Sequence, residues 1–227
     1  MPAIRVAILD DHQSIIDGYI YRLEAEEGIQ VVASGRYGMD LEAILVAQPV
    51  DVLLLDLSLP TSPENRNLFP VLLELPRIVA AYPGLKVIVI SVFNQPSLIK
   101  ALNGMGVNGY IFKDDDNSIK LLAQVVKLVA AGGVYFSPGI QQELAAPPAE
   151  TRLSPRQLEV LFLCMAYPDM GSSELARKLK ISGSTFRNLL SGVYTRLGVR
   201  TRAAAIARAR QLGIIPQNDN GPFDRQS

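Results

Sequence analysis

Two adjacent aspartates, Asp10 and Asp11, stand directly after the apolar run VAIL in the stretch VAILDDHQS, residues 6–14. Neighbouring carboxylates repel each other, so a pair at the end of a buried segment needs a partner of opposite charge. A third carboxylate, Asp56, closes the run VLLLD, and Lys113 follows GYIF at residues 109–112. Such runs have the character of buried parallel strands, whose carboxyl ends share one edge of a sheet and collect its chemistry. Asp10, Asp11, Asp56 and Lys113 then surround one pocket, where one ammonium cannot balance three carboxylates. A hard divalent cation resolves the excess, and Mg2+ takes carboxylate, water and phosphate oxygens. With a lysine and a metal ion facing it, an incoming phosphoryl group meets the positive field its transfer requires. An aspartate can itself be the nucleophile, and the product is an acyl phosphate. The plainer reading of each aspartate alone is a helix cap after a strand; Asp-Asp, Asp and Lys at three separate strand ends argue for a site.

The elements that gather these residues are legible as apolar runs: IRVAIL (4–9), IQVVAS (29–34), DVLLLDL (51–57), LKVIVIS (85–91) and GYIF (109–112). Helical patterns lie between them. In SIKLLAQVVKLVAAGG (118–133), Ile119, Leu122, Val126 and Val129 recur at helical spacing before terminal glycines. Strand and helix alternate five times, which predicts an α/β fold, a doubly wound five-stranded parallel sheet of order 2-1-3-4-5. Its switch point falls between the first and third strands, where Asp10, Asp11 and Asp56 end. Pro147 and Pro148, in LAAPPAETR (144–152), then break the periodicity and mark a linker.

Beyond the linker no strand pattern survives. Ser154, Pro155 and Gln157 form a capping-box sequence at the start of a helix, with Leu153 and Leu158 placed as a hydrophobic staple. Three further helical patterns follow near 172–180, 183–197 and 201–213, and the last residues form a tail. A short helix, a tight turn at KISGS and a longer helix make a helix-turn-helix. Phe186, Leu190, Val193 and Leu197 pack inward at helical spacing, and Thr185, Arg187, Asn188 and Ser191 lie opposite. Those groups suit phosphates and base edges in a major groove. Arg177, Lys178 and Lys180 are placed to meet backbone phosphates. The plain reading of this face is a solvated polar stripe.

Charge sharpens the division. The net formal charge is zero, yet residues 1–150 hold 10 Lys+Arg against 17 Asp+Glu, whereas residues 151–213 hold 11 against 3. An acidic module is thus joined to a basic one suited to polyanions. No apolar run approaches the ~20 residues of a membrane span, and the single cysteine, Cys164, excludes an internal disulfide. A soluble cytoplasmic protein is expected, with Cys164 a buried structural thiol. His12, the one histidine, lacks companion nitrogen or sulfur ligands nearby and is expected at the surface. GMGVNG (104–109) precedes a strand instead of linking strand to helix, so it fails as a dinucleotide fingerprint. A phosphate-ester hydrolase is disfavoured because Ser58 stands where aspartyl-phosphate phosphatases carry a second catalytic aspartate.

Residues 1–133 resemble the receiver domain of bacterial two-component response regulators, which is flavodoxin-like, and residues 151–215 resemble the LuxR-type DNA-binding domain. The combination is similar to the NarL/FixJ class. The resemblance implies a receiver at 1–133, a linker at 134–150, a helix-turn-helix domain at 151–215 and a flexible tail at 216–227. It implies Asp56 as phosphoacceptor, Asp10, Asp11, Asp56 and the Ser58 carbonyl around Mg2+, and Ser91 on the phosphoryl group. Tyr110 is implied as the switch aromatic and Lys113 as the partner of the phosphorylated aspartate. It further implies a sensor histidine kinase as donor, double-stranded DNA as target and a homodimer formed through the last helix. The chain departs from the family pattern in three places. The segment TSPENRNLFPVLLELP after Pro60 is longer than usual and holds Pro63, Pro70 and Pro76; the recognition helix reads Thr185-Phe186-Arg187-Asn188-Leu189 in place of Thr-Val-Lys-x-His; and Gln157 stands where Glu is usual. The charge split across a proline linker suggests a receiver that occludes the basic domain until Asp56 is phosphorylated. The competing expectation is a regulator that ignores phosphorylation and works through protein contacts, and the long segment after Pro60 is its motivation.

Overall fold

Near-continuous apolar runs pair side by side because both faces of the sheet are covered by helices. The structure, a computed structural model, describes residues 2–140 and 153–215. Pro147 and Pro148 of the expected linker and the tail from residue 216 lie outside the described residues. The strands are β1 (Ile4–Leu9), β2 (Ile29–Gly35), β3 (Val52–Leu55), β4 (Lys86–Ser91), β5 (Gly109–Phe112) and β6 (Tyr135–Phe136), in the order β2-β1-β3-β4-β5-β6. All neighbours are parallel. The expected order 2-1-3-4-5 is therefore present, with one further strand on its edge. β6 falls inside the segment assigned to the linker, and its two residues are too short a run to show a period.

Among the described residues, the helices that flank the sheet include α1 (Gln13–Glu24), α2 (Asp40–Ala47), α3 (Val71–Ala81), α4 (Pro96–Gly104), α5 (Asp116–Lys120) and α6 (Leu122–Ala130). The single helix expected over 118–133 is divided at Leu121. One core, with Val6, Ile8, Ile88, Ile90 and Val126, lies under α1 and α6; the other, with Leu9, Leu53, Leu55, Val87 and Val89, faces α2, α3 and α4.

The long segment after Pro60 forms a strap and not a loose loop. Pro60 and Leu68 make an antiparallel bridge, and Thr61 N–H donates to the Asn67 carbonyl. The strap is stitched to the turn after β2: Gly38 N–H donates to Pro60 O at 2.8 Å, and Met39 N–H to Thr61 O at 3.0 Å. Gly38 permits this closeness, since a Cβ there would stand 2.0 Å from the Phe69 ring. The extended segment ends earlier than expected, because α3 begins at Val71 and takes Pro76 into its interior.

The second module holds α7 (Pro155–Ala166), α8 (Ser172–Lys178), α9 (Gly183–Leu197) and α10 (Arg202–Gln211). The capping box is formed: Gln157 N–H donates to Ser154 Oγ, and Ser154 N–H to Gln157 Oε1. Leu161–Ala166 are buried without interruption, because α7 is covered on all sides. α9 and α10 pack on it from its own module, where Leu175 and Ala176 of α8 share its apolar cluster, while α4 and α3 of the sheet domain meet it from the other. Leu98 and Leu102 of α4 share an apolar cluster with Leu158, Leu161 and Phe162, and Leu73 of α3 packs against the cluster of Val160, Leu163 and Cys164.

Gly38→Ala is expected to force the strap off its turn and to destabilise the sheet domain by about 1–3 kcal/mol, the usual scale of overpacking. Thermal melting checks this against Gly84→Ala, where a Cβ meets nothing within 4 Å. Equal melting temperatures for the two variants would show that the strap is not seated on Gly38.

Candidate functional site

The parallel sheet delivers its strand ends to one edge, and chemistry-bearing residues follow the strands there. Asp10 and Asp11 leave β1, Asp56 leaves β3, Ser91 closes β4 and Lys113 follows β5. Lys113 Nζ lies 2.7 Å from Asp10 Oδ2 and 3.0 Å from Asp56 Oδ2. Both aspartates are buried. The free oxygens are engaged locally: Asp10 Oδ1 accepts from His12 N–H at 3.0 Å, and Asp56 Oδ1 from Leu57 N–H at 2.7 Å.

The charges do not cancel. Burial pushes the Asp56 carboxyl up to about 6; Lys113 opposes the rise and Asp10 adds to it. Burial disfavours the Lys113 ammonium, yet Asp56 and Asp10 together hold its pKa above the ordinary lysine value. The lysine therefore stays charged, and the carboxylates retain an excess of negative charge. Asp11, half-buried, adds to that excess and is itself among the causes that raise Asp56.

A cation fits this donor set. Ligand atoms of Asp10, Asp11 and His12 all lie within 4.8 Å of one another. Hard carboxylate oxygens beside a buried, charge-rich aspartate suit Mg2+, with Ser58, half-buried two residues past Asp56, able to offer a carbonyl. His12 is half-exposed, as expected of a surface residue, but its Nδ1 sits 2.8 Å from Asp11 Oδ1, closer to the site than sequence reasoning placed it.

Ser91 is fully buried, and its Oγ accepts from Phe93 N–H. Tyr110 is also fully buried, and its hydroxyl donates to the Phe93 carbonyl. Both thus bear on the segment between β4 and α4. Two neighbours of the site escaped sequence reasoning. Arg36 Nε donates to the Asp11 carbonyl at 3.2 Å from the turn that the strap braces. Its position just after β2 was the available signal. Tyr19 of α1 is buried, which raises its hydroxyl pKa, and it feels the charges of Lys113, Asp10 and Asp56. Nothing in the helical pattern distinguished it from core.

The second module keeps its polar face open. Thr185, Arg187, Asn188 and Ser191 of α9 are exposed, and Phe186, Leu190, Val193 and Leu197 are buried. Arg177 and Lys180 are exposed, while Lys178 lies 4.1 Å over the Tyr167 ring. The contact from the sheet domain falls on α7 and leaves these residues uncovered, so occlusion of this face is not the arrangement found. In α10, Ala205 and Ala209 turn into their own core, leaving Ala203 and Ala207 exposed. Cys164 is buried, as expected, and burial pushes its thiol up to about 11. Among the described residues no helix is long and apolar enough to cross a membrane.

A doubly wound sheet with three aspartates and a lysine at its switch edge, joined to a helix-turn-helix, defines a two-module regulator. The sequence matches the response regulator receiver domain family over residues 6–125 and the luxR family of bacterial regulatory proteins over residues 151–209. The chain belongs to the response regulators that carry a LuxR-type domain. Similar relatives include the transcriptional regulatory protein DesR of Bacillus subtilis (strain 168), 26% identical over 210 residues, which cover 92% of this chain and 98% of DesR. Another is the transcriptional regulatory protein MctR of Rhizobium johnstonii, 27% identical over 219 residues, 94% of this chain and 96% of MctR. Among solved structures, RcsB from Salmonella enterica serovar Typhimurium, bound to promoter rprA in the presence of a phosphomimetic, aligns with a TM-score of 0.67 at 24% identity. That alignment covers 90% of this chain and 98% of RcsB, and supports the fold.

Lys113→Ala leaves Asp10 and Asp56 buried together without their cation, and a loss of about 3–5 kcal/mol is expected by thermal or chemical melting. In the unsubstituted protein, Mg2+ at a hundredfold its dissociation constant is expected to add about 2.7 kcal/mol. Asp11→Asn is expected to lose most of that gain; an undiminished Mg2+-induced rise in Tm would remove Asp11 from the metal site.

Proposed function

We propose that the chain is a transcriptional response regulator whose DNA binding is set by phosphorylation of Asp56. The observation that carries this reading is the Lys113 ammonium held between Asp10 and Asp56, with surplus negative charge beside it. Asp10, Asp11, Asp56 and the Ser58 carbonyl would hold Mg2+, which would supply positive charge for the phosphoryl oxygens in addition to that of Lys113. A carboxylate oxygen of Asp56 attacks phosphorus; the bond to the donor, a phosphohistidine of a sensor kinase, breaks as the acyl phosphate forms. The imidazole leaves with the electron pair. No turnover of an external substrate is involved, so the protein acts as a regulator and not as an enzyme.

The new dianionic group draws Ser91 toward it. Ser91 and Tyr110 both hold Phe93, which leads into α4, and α4 carries α7. Phosphorylation therefore shifts the seat of the DNA-binding module instead of uncovering a hidden face. Thr185, Arg187, Asn188 and Ser191 enter the major groove, and Arg177, Lys178 and Lys180 meet phosphates. Two copies bind as a dimer, through exposed small residues of α10, to double-stranded DNA in the cytoplasm. The receiver runs past residue 133 to include β6, and the DNA-binding domain spans 151–215, with a linker before it and a tail after it.

Incubation with Mg2+ and a small acyl phosphate is expected to add the mass of one phosphoryl group, lost in Asp56→Asn and on chelation of the metal. Duplex DNA binding, read by anisotropy, is expected to tighten in the phosphorylated form only. Absence of any mass gain with DNA binding intact would favour the phosphorylation-independent regulator.

A further inference from the structure

The outward face of α9 holds polar groups that are not equally free. Ser182, the N-cap, accepts from Thr185 N–H at 3.1 Å, and its Oγ lies 2.8 Å from both Ser184 Oγ and Thr185 Oγ1. These three hydroxyls satisfy one another in a cap. Toward the other end, Thr195 Oγ1 donates to the Ser191 carbonyl at 3.1 Å. By contrast, Arg187 and Asn188 are exposed, and among the described residues neither side chain has a hydrogen bond or ion pair. The Arg187 guanidinium lies back over the first turn, 3.4 Å from where a Cβ on Gly183 would stand, and so points to the end of a recognition helix that contacts bases. Arg202, by comparison, donates to the carbonyls of Pro168 and Met170, and Lys178 lies over the Tyr167 ring.

Resting on the DNA-binding reading above, we infer that base discrimination is concentrated in Arg187 and Asn188, while Thr185 serves the helix cap. The two side chains name the target chemistry. A guanidinium pairs bidentately with guanine O6 and N7, and a carboxamide with adenine N6 and N7, both in the major groove. Hydroxyls already tied in a cap would have to break bonds to reach a base, and a hydroxyl accepts either base in any case. The half-site therefore presents a guanine and an adenine at neighbouring base pairs, within reach of successive residues of one helix. Elsewhere contacts are to phosphates and carry no sequence information.

The test begins with the phosphorylated full-length protein and a random duplex library. Enriched half-sites are expected to share neighbouring guanine and adenine. On the enriched duplex, Arg187→Ala is expected to weaken binding about 10- to 100-fold and to stop distinguishing duplexes that differ at the guanine. Asn188→Ala does the same at the adenine alone. Arg187→Lys keeps the charge but loses the bidentate fork, so salt-dependent binding persists while guanine preference fades. Thr185→Ala is expected to lower the melting temperature and to weaken all duplexes alike. Enriched sites without the guanine–adenine pair, or relaxation of preference by Thr185→Ala in place of Arg187→Ala, would overturn the assignment. Failure of the unsubstituted protein to bind any duplex in a salt-dependent way would instead overturn the DNA-binding reading itself.

Discussion

One ammonium group organises the sheet domain. Lys113 reaches from the end of β5 past β4 to contact carboxylates that end β1 and β3. Two buried carboxylates facing each other would be strongly unfavourable without it, so the lysine is as much a condition for folding as a participant in chemistry. It does not neutralise the site. Asp10 and Asp56 share one positive charge, and Asp11 lies alongside, so at least one negative charge remains for an incoming cation. A site satisfied by its own residues would have no use for a metal ion, and one with no lysine would struggle to fold. The arrangement lies between these limits, which is what a reversible charge switch requires.

That charge centre connects to the rest of the chain by a short path. Ser91 and Tyr110 both bond to Phe93, one through its N–H and the other through its carbonyl. Phe93 is buried in the same apolar cluster as Leu98 and Leu102 of α4 and Leu158, Leu161 and Phe162 beyond the linker. Close-packed clusters of this kind transmit small displacements because they lack voids to absorb them. The linker itself need not carry the signal.

Much of this was legible in the sequence, and the limits have physical causes. The five long strands declared themselves because a strand buried on both faces is apolar throughout, and the strand-end rule then placed Asp10, Asp11, Asp56 and Lys113 together. β6 did not, because Tyr135–Phe136 is too short to show a period and owes its conformation to β5. The break at Leu121 carries no glycine or proline to announce it. The strap after Pro60 was visible as extra length, but its seat depends on Gly38, distant in sequence, whose missing Cβ makes room for Phe69. The docking of α7 left a trace that went unread: VLFLCMA is apolar around the whole helix, a pattern expected only where every side is covered.

The charge division between the modules suggested that they attract each other, and the contact found is apolar instead. Leucines and Phe162 meet across it, while Arg187 and its neighbours face outward. The two kinds of interaction obey different laws. Attraction between a basic face and DNA falls steeply with salt, because it depends on counterion release; an apolar contact responds little to salt and scales with the area removed from water. The basic face is thus left open to DNA, and the apolar seat of α7 is where the state of the receiver acts, at any ionic strength. Coupling and recognition reside on different helices of the small module, α7 and α9, so either can change without abolishing the other.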